Sequence, residues 1–167
     1  IGVCKQIITG LSRRAGAERL DNVESVPADR WLDSLRQHWH AARPQAGSRL
    51  IIASDGSAPS IAADPRLEQA ILNLLNNAAN ATPRPLDIRL SWCSENLCID
   101  IRDHGPGFPS EILAAGGQSS FPAHERGSGV GLILTRTAIE QLGGRLTLFN
   151  PDDGGALARI ELPRAKP

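Results

Sequence analysis

The stretch Leu67–Pro83 constrains the fold most, because it combines the spacing of an amphipathic helix with a file of asparagines. Apolar residues recur at intervals of three and four and form a single stripe: Leu67, Ala70, Ile71, Leu74, Leu75, Ala78 and Ala79. Asp64 is a candidate N-cap, and Pro65 suits the first helical position. The pattern predicts a helix that buries one face in a core.

The other face of this predicted helix carries Asn73, Asn77 and Asn80. Asn73 and Asn77 are four residues apart and therefore lie on the same side. An amide oxygen can ligate a cation such as Mg²⁺, and an amide NH2 can donate to a phosphate. Taken alone, the three asparagines fit an ordinary polar helix surface equally well.

Two glycine-containing stretches follow in an informative order. The first is Asp100–Phe108 (DIRDHGPGF), in which a short apolar alternation leads into Asp103, Gly105 and Gly107. The second is Gly127–Leu132 (GSGVGL), which opens onto a helical pattern. With the asparagine helix, these stretches resemble the N, G1 and G2 boxes of the GHKL superfamily, whose members are gyrase, Hsp90, MutL and the histidine kinases.

The resemblance covers most of the chain, roughly residues 51–163, and agrees with the predicted elements. Apolar patterning predicts helices at 27–40, 64–83 and 132–142, and strands at 49–53, 86–92, 97–101, 145–149 and 156–162. We therefore predict an α+β fold, a two-layer α/β sandwich of the Bergerat type. Its mixed, mostly antiparallel sheet of about five strands carries about three helices on one face.

The chain is predicted to consist of two parts. Residues 1–26 are predicted to be the end of a dimerisation helix and a linker, and residues 27–167 the catalytic ATP-binding domain. The helical spacing of Ile1–Arg14 supports the first assignment. Leu113–Arg126 lacks a hydrophobic period and is predicted to be a structureless mobile lid between the two glycine boxes.

Composition excludes several classes of protein. Lys plus Arg and Asp plus Glu number 18 each, so the chain lacks the basic footprint of a nucleic-acid binder. No apolar run approaches the ~18 residues of a membrane span. We expect a cytoplasmic domain whose full-length protein reaches the inner membrane only through segments outside this chain.

The cysteines and two of the histidines have side chains that can form disulfides or bind metals. Three cysteines, an odd number, favour a reducing compartment over a disulfide scaffold: Cys4, Cys93 and Cys98. Cys93 and Cys98 are predicted to face outward across a hairpin, where free thiols are favoured over a regulatory disulfide. His38 and His40 have no cysteine or carboxylate at ligand spacing and are interpreted as surface residues.

The resemblance implies ATP and Mg²⁺ as cofactors and assigns the site residues. Asp103 would accept a hydrogen bond from the adenine NH2 and so select ATP over GTP. Gly105 and Gly107 would let the backbone approach the base and adopt positive φ. Asn77 would bind Mg²⁺, with Asn73 and Asn80 beside the triphosphate. The strip that leads into a helix N-terminus would face the phosphates: Gly127, Ser128, Gly129, Val130, Gly131 and Leu132.

One position separates a kinase from an ATPase. The hydrolysing branch of the superfamily has a glutamate base four residues before the Mg²⁺-binding asparagine, whereas this chain has Asn73, which cannot take a proton. We therefore assign no catalytic residue. The phosphoacceptor is expected outside the chain, because none of its histidines lies in a His-Glu-x-x-x-Pro context: His38, His40, His104 and His124.

These features predict the catalytic domain of a bacterial two-component sensor histidine kinase. Its expected partners are its own dimerisation and phosphoacceptor domain, a second copy in the full-length homodimer, and a response-regulator receiver domain. The alternatives are a degenerate ATP sensor without phosphotransfer and an anti-sigma-type Ser kinase.

Departures from the family pattern support the degenerate alternative. Asn80 stands where the family has Lys or Arg, with Arg126 or Arg84 as candidate replacements, and Ala156 stands where a Thr is common. The Asn80 substitution and the short lid are similar to the RegB-like redox-responsive kinases.

Overall fold

Five strands form the main sheet of the protein, in the order β2-β4-β5-β7-β6. A computed structural model describes residues 24–115 and 130–164. The strands are β1 (Ser25–Pro27), β2 (Ser48–Ile52), β3 (Ser60–Ala62), β4 (Leu86–Trp92), β5 (Asn96–Arg102), β6 (Arg145–Phe149) and β7 (Leu157–Pro163). The helices are α1 (Ala28–Ala42), α2 (Pro65–Ala81), α3 (Ser110–Ala115) and α4 (Val130–Gln141).

The pairing within the main sheet confirms a mixed, mostly antiparallel arrangement. β2 pairs with β4 in parallel, and the other three pairings are antiparallel. β4 and β5 form a hairpin in which Ile88 lies opposite Ile101 and Leu90 opposite Ile99. These four side chains are buried on one face, as the alternation of the sequence predicts.

The buried face of the sheet packs under the helices. The apolar sides of α1, α2 and α4 join it in one cluster that includes Trp31, Trp39, Ile71, Leu75 and Ile139. The predicted two-layer α+β sandwich is therefore confirmed. The opposite face of the sheet carries polar pairs such as Asp100 with Arg159, whose two hydrogen bonds measure 2.7 and 2.8 Å.

α2 begins as the sequence predicts. The Asp64 carboxylate accepts a hydrogen bond from the backbone N–H of Arg66 at 2.8 Å, and Pro65 occupies the first turn. The side chain of Arg66 also donates to Asp64, which holds the pKa of that carboxyl below its ordinary value. The N-cap is therefore charged at neutral pH, which suits the positive end of the helix dipole.

Asp64→Ala is expected to lower the free energy of unfolding by about 1 kcal/mol, because the substitution removes the N-cap. Urea unfolding followed by circular dichroism measures this loss. Asp55→Ala is the matched control, since Asp55 is exposed in the loop before β3. Equal losses in the two variants would show that the cap contributes nothing specific.

The structure differs from the sequence-based prediction at two places. β1 was not predicted; it pairs with β3 in a separate two-stranded sheet, with Val26 opposite Ile61. α3 occupies Ser110–Ala115, so the first three residues of the predicted lid are helical. Pro109 explains the helix, because its carbonyl accepts from the N–H groups of Ile112 and Leu113 and starts the turn.

Several other predictions lie outside the described residues. These are the helix at 1–14 with Cys4, the remainder of the lid, and the first part of the second glycine stretch. Cys93 and Cys98 are described, and both carry free thiols. Within 24–115 and 130–164, no helix is long and apolar enough to cross a membrane.

Candidate functional site

The asparagine face of α2 is the first component of the candidate site. Asn77 is exposed, and its side chain has no hydrogen-bond partner among the described residues. Asn73 is half-buried, and its Oδ1 accepts a hydrogen bond from Gln69 at 3.0 Å. Among the described residues, nothing therefore occupies the NH2 or the oxygen of the Asn77 amide, and a metal ion would bind to the oxygen.

Asn80 is engaged differently. Its Oδ1 accepts a hydrogen bond of 2.8 Å from the guanidinium of Arg43. Among the described residues the cation that contacts Asn80 is thus Arg43, not the candidate Arg84, while the other candidate, Arg126, lies outside them. The sequence also did not indicate Asn76, whose Oδ1 accepts from Trp39 at 2.9 Å and from Arg43 at 3.1 Å.

The second component is the loop that follows β5. Asp103 is 5% exposed as a residue, and its Oδ1 accepts from the N–H of Gly105 at 2.9 Å and of Ala156 at 3.2 Å. The Asp103 N–H donates in turn to the Ala156 carbonyl at 2.9 Å. Oδ2 has no hydrogen-bond partner within the described part of the chain. One carboxylate oxygen therefore organises the loop, while the other is left to accept from a ligand.

These backbone contacts also bear on the alanine at position 156. Both of its hydrogen bonds to Asp103 involve backbone atoms of Ala156. Replacing the family's usual threonine by alanine therefore leaves the link between β7 and the Asp103 loop in place.

A close contact joins the two components. A Cβ added to Gly105 would lie 2.7 Å from the Ala81 carbonyl oxygen, at the end of α2 and four residues after Asn77. Such an approach excludes a side chain at Gly105. The glycine is thus required by contact with α2, whereas we had predicted a requirement for positive φ, which Gly105 does not have.

Positive φ is found at Gly107, where φ is +88°, as predicted. Asn150 fastens this part of the loop, because its side chain accepts from the Phe108 N–H at 2.8 Å and donates to the Phe108 carbonyl at 2.9 Å. Gly155 approaches the loop even more closely. Its φ is +80°, and a Cβ added to it would lie only 2.1 Å from the Asp103 carbonyl oxygen.

Gly155→Ala is expected to destabilise the protein by about 1–2 kcal/mol more than Gly154→Ala, because a methyl group would overlap the Asp103 carbonyl. Gly154 is a matched control, since its φ is +96° and its Cβ position has no neighbour within 4 Å. Both variants carry the cost of positive φ, and only one carries the overlap. Thermal unfolding measures the difference, and equal melting temperatures would argue against the close approach.

A charged cluster lies next to Asp103. His104 Nε2 lies 3.0 Å from Asp87 Oδ2, and the Arg49 guanidinium lies 2.7 Å from Asp87 Oδ1. Burial raises the pKa of Asp87, but the hydrogen bonds from Arg49 and His104 outweigh it and hold the pKa below its ordinary value. The cluster fixes the position of His104 without using the Asp103 carboxylate.

The third component is the start of α4, which packs against α2. Leu132 is buried and holds the helix down, as predicted. The Thr135 hydroxyl donates to the Gly131 carbonyl at 2.8 Å. Val130 begins the helix, while Gly127, Ser128 and Gly129 lie outside the described residues.

A cavity of about 430 Å³ lies elsewhere, between the ends of α1 and α2. It is lined by residues that include Arg43, Ala46, Ala79, Thr82 and Arg84. Neither Asn77 nor Asp103 lines this cavity, whereas Arg43 lines it and also contacts Asn80.

The residues present suit Mg²⁺ and ATP. Asn77 offers an amide oxygen, a hard neutral ligand, and Asp103 offers a carboxylate oxygen, and neither atom has a hydrogen-bond partner among the described residues. Within 24–115 and 130–164, no group of three or more His, Cys, Asp or Glu could hold a metal by itself. A metal here would thus need further ligands from phosphate and water, which is the usual arrangement for Mg²⁺.

Comparison with known proteins identifies relatives. The chain is 39% identical over 105 residues to the sensor protein CseC of Streptomyces coelicolor, an alignment that covers 60% of this chain and 20% of the relative. It is 35% identical over 108 residues to the C4-dicarboxylate transport sensor protein DctB of Pseudomonas aeruginosa, covering 60% and 18%. The chain thus spans about a fifth of the length of these relatives.

Solved structures share the fold. The mycobacterial sensor histidine kinase MprB superposes with a TM-score of 0.69 at 24% identity, covering 85% of this chain and 97% of that one. Full-length ShkA in complex with AMPPNP superposes with a TM-score of 0.68 at 22% identity, covering 86% and 32%.

A family of known proteins also matches the chain. Residues 62–166 match the family described as "Histidine kinase-, DNA gyrase B-, and HSP90-like ATPase". The match contains α2 with its asparagines, the Asp103 loop and the start of α4. Because it spans more than half of the sequence, the chain belongs to this family of histidine kinase-, DNA gyrase B- and HSP90-like ATPases.

Proposed function

We propose that this chain is the ATP-binding catalytic domain of a two-component sensor histidine kinase, which presents the γ-phosphate of ATP to a histidine outside the chain. The observation that carries the proposal is the close approach of Gly105 to the Ala81 carbonyl, which joins the loop of Asp103 to the end of the helix that bears Asn77. The named relatives, all sensor proteins, support the same class.

We also propose the division of the chain into two parts. Residues 1–26 would end a dimerisation helix and its linker, and residues 27–167 would form the catalytic domain. β1 spans this boundary, and its pairing with β3 supports a division close to the start of the described residues.

At the purine end, Asp103 would accept a hydrogen bond from the adenine NH2 through Oδ2. Its other oxygen is held by the N–H groups of Gly105 and Ala156, so the carboxylate is oriented before the ligand arrives. Guanine has a carbonyl oxygen at the corresponding position, which a carboxylate repels. Asp103 would therefore select ATP over GTP.

At the phosphate end, α2 would supply the polar groups. Asn77 would ligate Mg²⁺ through its free Oδ1, and Asn73 and Asn80 would donate to phosphate oxygens through their NH2 groups. Gly127–Leu132 would place backbone N–H groups of the α4 N-terminus near the phosphates. Bound Mg²⁺-ATP supplies the phosphoryl group and part of the charge neutralisation that phosphoryl transfer requires.

Transfer to a protein, rather than to water, is favoured by the chemistry of Asn73. A base is needed to activate water, and an amide at this position accepts no proton. The phosphoacceptor histidine, the partner copy and the receiver domain would all lie outside this chain, as would any membrane anchor.

Calorimetry of the chain with Mg²⁺-ATP, followed by phosphotransfer to the histidine-bearing dimerisation domain of the full-length protein, tests the proposal. We expect saturable 1:1 binding and transfer of the γ-phosphate to that histidine. Binding without transfer would favour the degenerate sensor, and transfer to a serine of a partner would favour the anti-sigma-type kinase. Absence of nucleotide binding would refute all three.

A further inference from the structure

Arg43 contacts the asparagine face of α2, a contact that no local sequence pattern indicates. Arg43 follows the last residue of α1 and is half-buried. Its backbone N–H donates to the carbonyls of Trp39 and His40 at 3.0 and 3.2 Å. The origin of the side chain is therefore fixed by the end of α1.

The guanidinium spans two residues of the asparagine helix. NH2 donates to Asn80 Oδ1 at 2.8 Å, and NH1 donates to Asn76 Oδ1 at 3.1 Å. Trp39 shares the second acceptor, since its Nε1 donates to the same oxygen at 2.9 Å. The buried Trp39 indole thus orients the Asn76 amide, whose oxygen in turn positions the Arg43 guanidinium.

This contact determines how Asn80 is oriented. A guanidinium has only donors, so the atom of Asn80 that faces Arg43 must be the oxygen. The NH2 group of the amide then points away from Arg43. Asn80 is thereby set as a donor, the role that a phosphate oxygen needs.

The charge of Arg43 is also notable. Its side-chain partners within the described residues are amide and carbonyl oxygens, and it forms no ion pair with a carboxylate there. Arg36, on the same helix, is instead paired with Asp33 at 2.6 Å. The asparagine face itself is neutral, and the last turn of α2 contains no basic residue. Within the part of the chain that the structure describes, Arg43 therefore places a positive charge beside Asn80 that no carboxylate pairs with.

We propose that Arg43 is a positioning residue for the phosphates of the nucleotide: it holds Asn80 with its NH2 outward and supplies positive charge to an otherwise neutral face of α2. This inference rests on the proposed function, because it assigns Arg43 to the site proposed for ATP. It predicts an effect that grows with the charge of the ligand, since triphosphate, diphosphate and nucleoside differ in the groups that Arg43 influences.

Arg43→Ala is expected to weaken Mg²⁺-ATP binding about 10-fold and ADP binding less, and to leave adenosine binding unchanged. Titration calorimetry measures the affinities for ATP and ADP, and NMR titration measures the affinity for adenosine. The loss should shrink as salt is raised, because it is partly electrostatic. Arg36→Ala is the matched control, since Arg36 also lies on α1 but donates to Asp33 and Ser48.

Two further variants separate charge from structure. In Arg43→Ala, the additional change Asn80→Lys is expected to restore most of the ATP affinity, because it returns a cation to the same position. Arg43→Lys should lie between the parent and Arg43→Ala, because an ammonium keeps the charge but loses the two-pronged contact. This variant also provides a readout if Arg43→Ala folds poorly.

Three results would overturn the inference. They are unchanged ATP affinity in Arg43→Ala, equal weakening for ATP and adenosine, and failure of Asn80→Lys to restore binding in a folded double variant. The proposed function fails separately, since its failure would appear as a parent chain that binds no Mg²⁺-ATP. If the parent binds Mg²⁺-ATP and Arg43→Ala binds it equally tightly, only the role of Arg43 is refuted.

Discussion

Asn77→Asp is expected to weaken Mg²⁺-ATP binding by at least about 100-fold while leaving the fold intact. Aspartate keeps one oxygen that can ligate a metal, but it removes the NH2 donor and adds a negative charge beside the triphosphate. Two unit charges 4 Å apart repel by about 4 kcal/mol at an effective dielectric constant near 20, and attraction to the metal offsets only part of this.

Stability should hardly change, because Asn77 is exposed and its side chain makes no hydrogen bond with the described residues. Calorimetric titration with Mg²⁺-ATP, together with a thermal melt, measures both quantities. Asn96→Asp is the matched control: the same chemical change at an exposed residue that begins β5, at the opposite end of the strand from Asp103. Parental affinity in Asn77→Asp would remove the metal assignment.

Asp103→Asn is expected to reduce the preference for ATP over GTP by about 100-fold or more, since it reverses a hydrogen bond to the base. The amide oxygen can still accept from the N–H groups of Gly105 and Ala156, so the loop should keep its shape. An NH2 group then replaces Oδ2 on the ligand side. The adenine NH2 would then face another hydrogen-bond donor, whereas the guanine carbonyl could accept a hydrogen bond from the new NH2 group.

Competition titrations with ATP and GTP measure the ratio of the two dissociation constants. Asp152→Asn is the control, because Asp152 is an exposed carboxylate in the turn before β7. A parental ratio in Asp103→Asn would refute the role of Asp103 in recognising adenine. Loss of folding would instead show that the carboxylate charge is needed for the loop itself.

The main elements could be predicted because their signals are local. The period-2 alternation of Leu86–Trp92 and the period of three and four in α2 each specify an element from its own residues. The N-cap at Asp64 was predictable for the same reason, since its partner is two residues away. Gly143, which has a φ of +77° beyond the end of α4, is likewise a local signal, since glycine commonly ends a helix in this conformation.

The parts that could not be predicted depend on distant partners. β1 has three residues, too few for a period, and exists because β3 pairs with it. Arg43 and Asn80 are in contact although they are 37 residues apart in the sequence, and no local pattern predicts that contact. The same applies to Gly155, whose need to be glycine is set by the carbonyl of Asp103, 52 residues earlier in the numbering.

The asparagine face shows the difference within one helix. Its three predicted residues were identical in type and were assigned by resemblance to separate roles. The structure distinguishes Asn80, whose oxygen is occupied by Arg43, from Asn77, whose oxygen is free of partners in the described residues. The sequence shows which amides face outward, whereas the contacts of each amide show which of its atoms remain available.

The most direct test is a crystal structure of the chain with Mg²⁺ and a non-hydrolysable ATP analogue. The account predicts the adenine amino nitrogen within hydrogen-bond distance of Asp103 Oδ2, the metal liganded by Asn77 Oδ1, and the phosphates beside Asn80. A nucleotide bound in the cavity between the ends of α1 and α2, or a metal without Asn77 among its ligands, would contradict it.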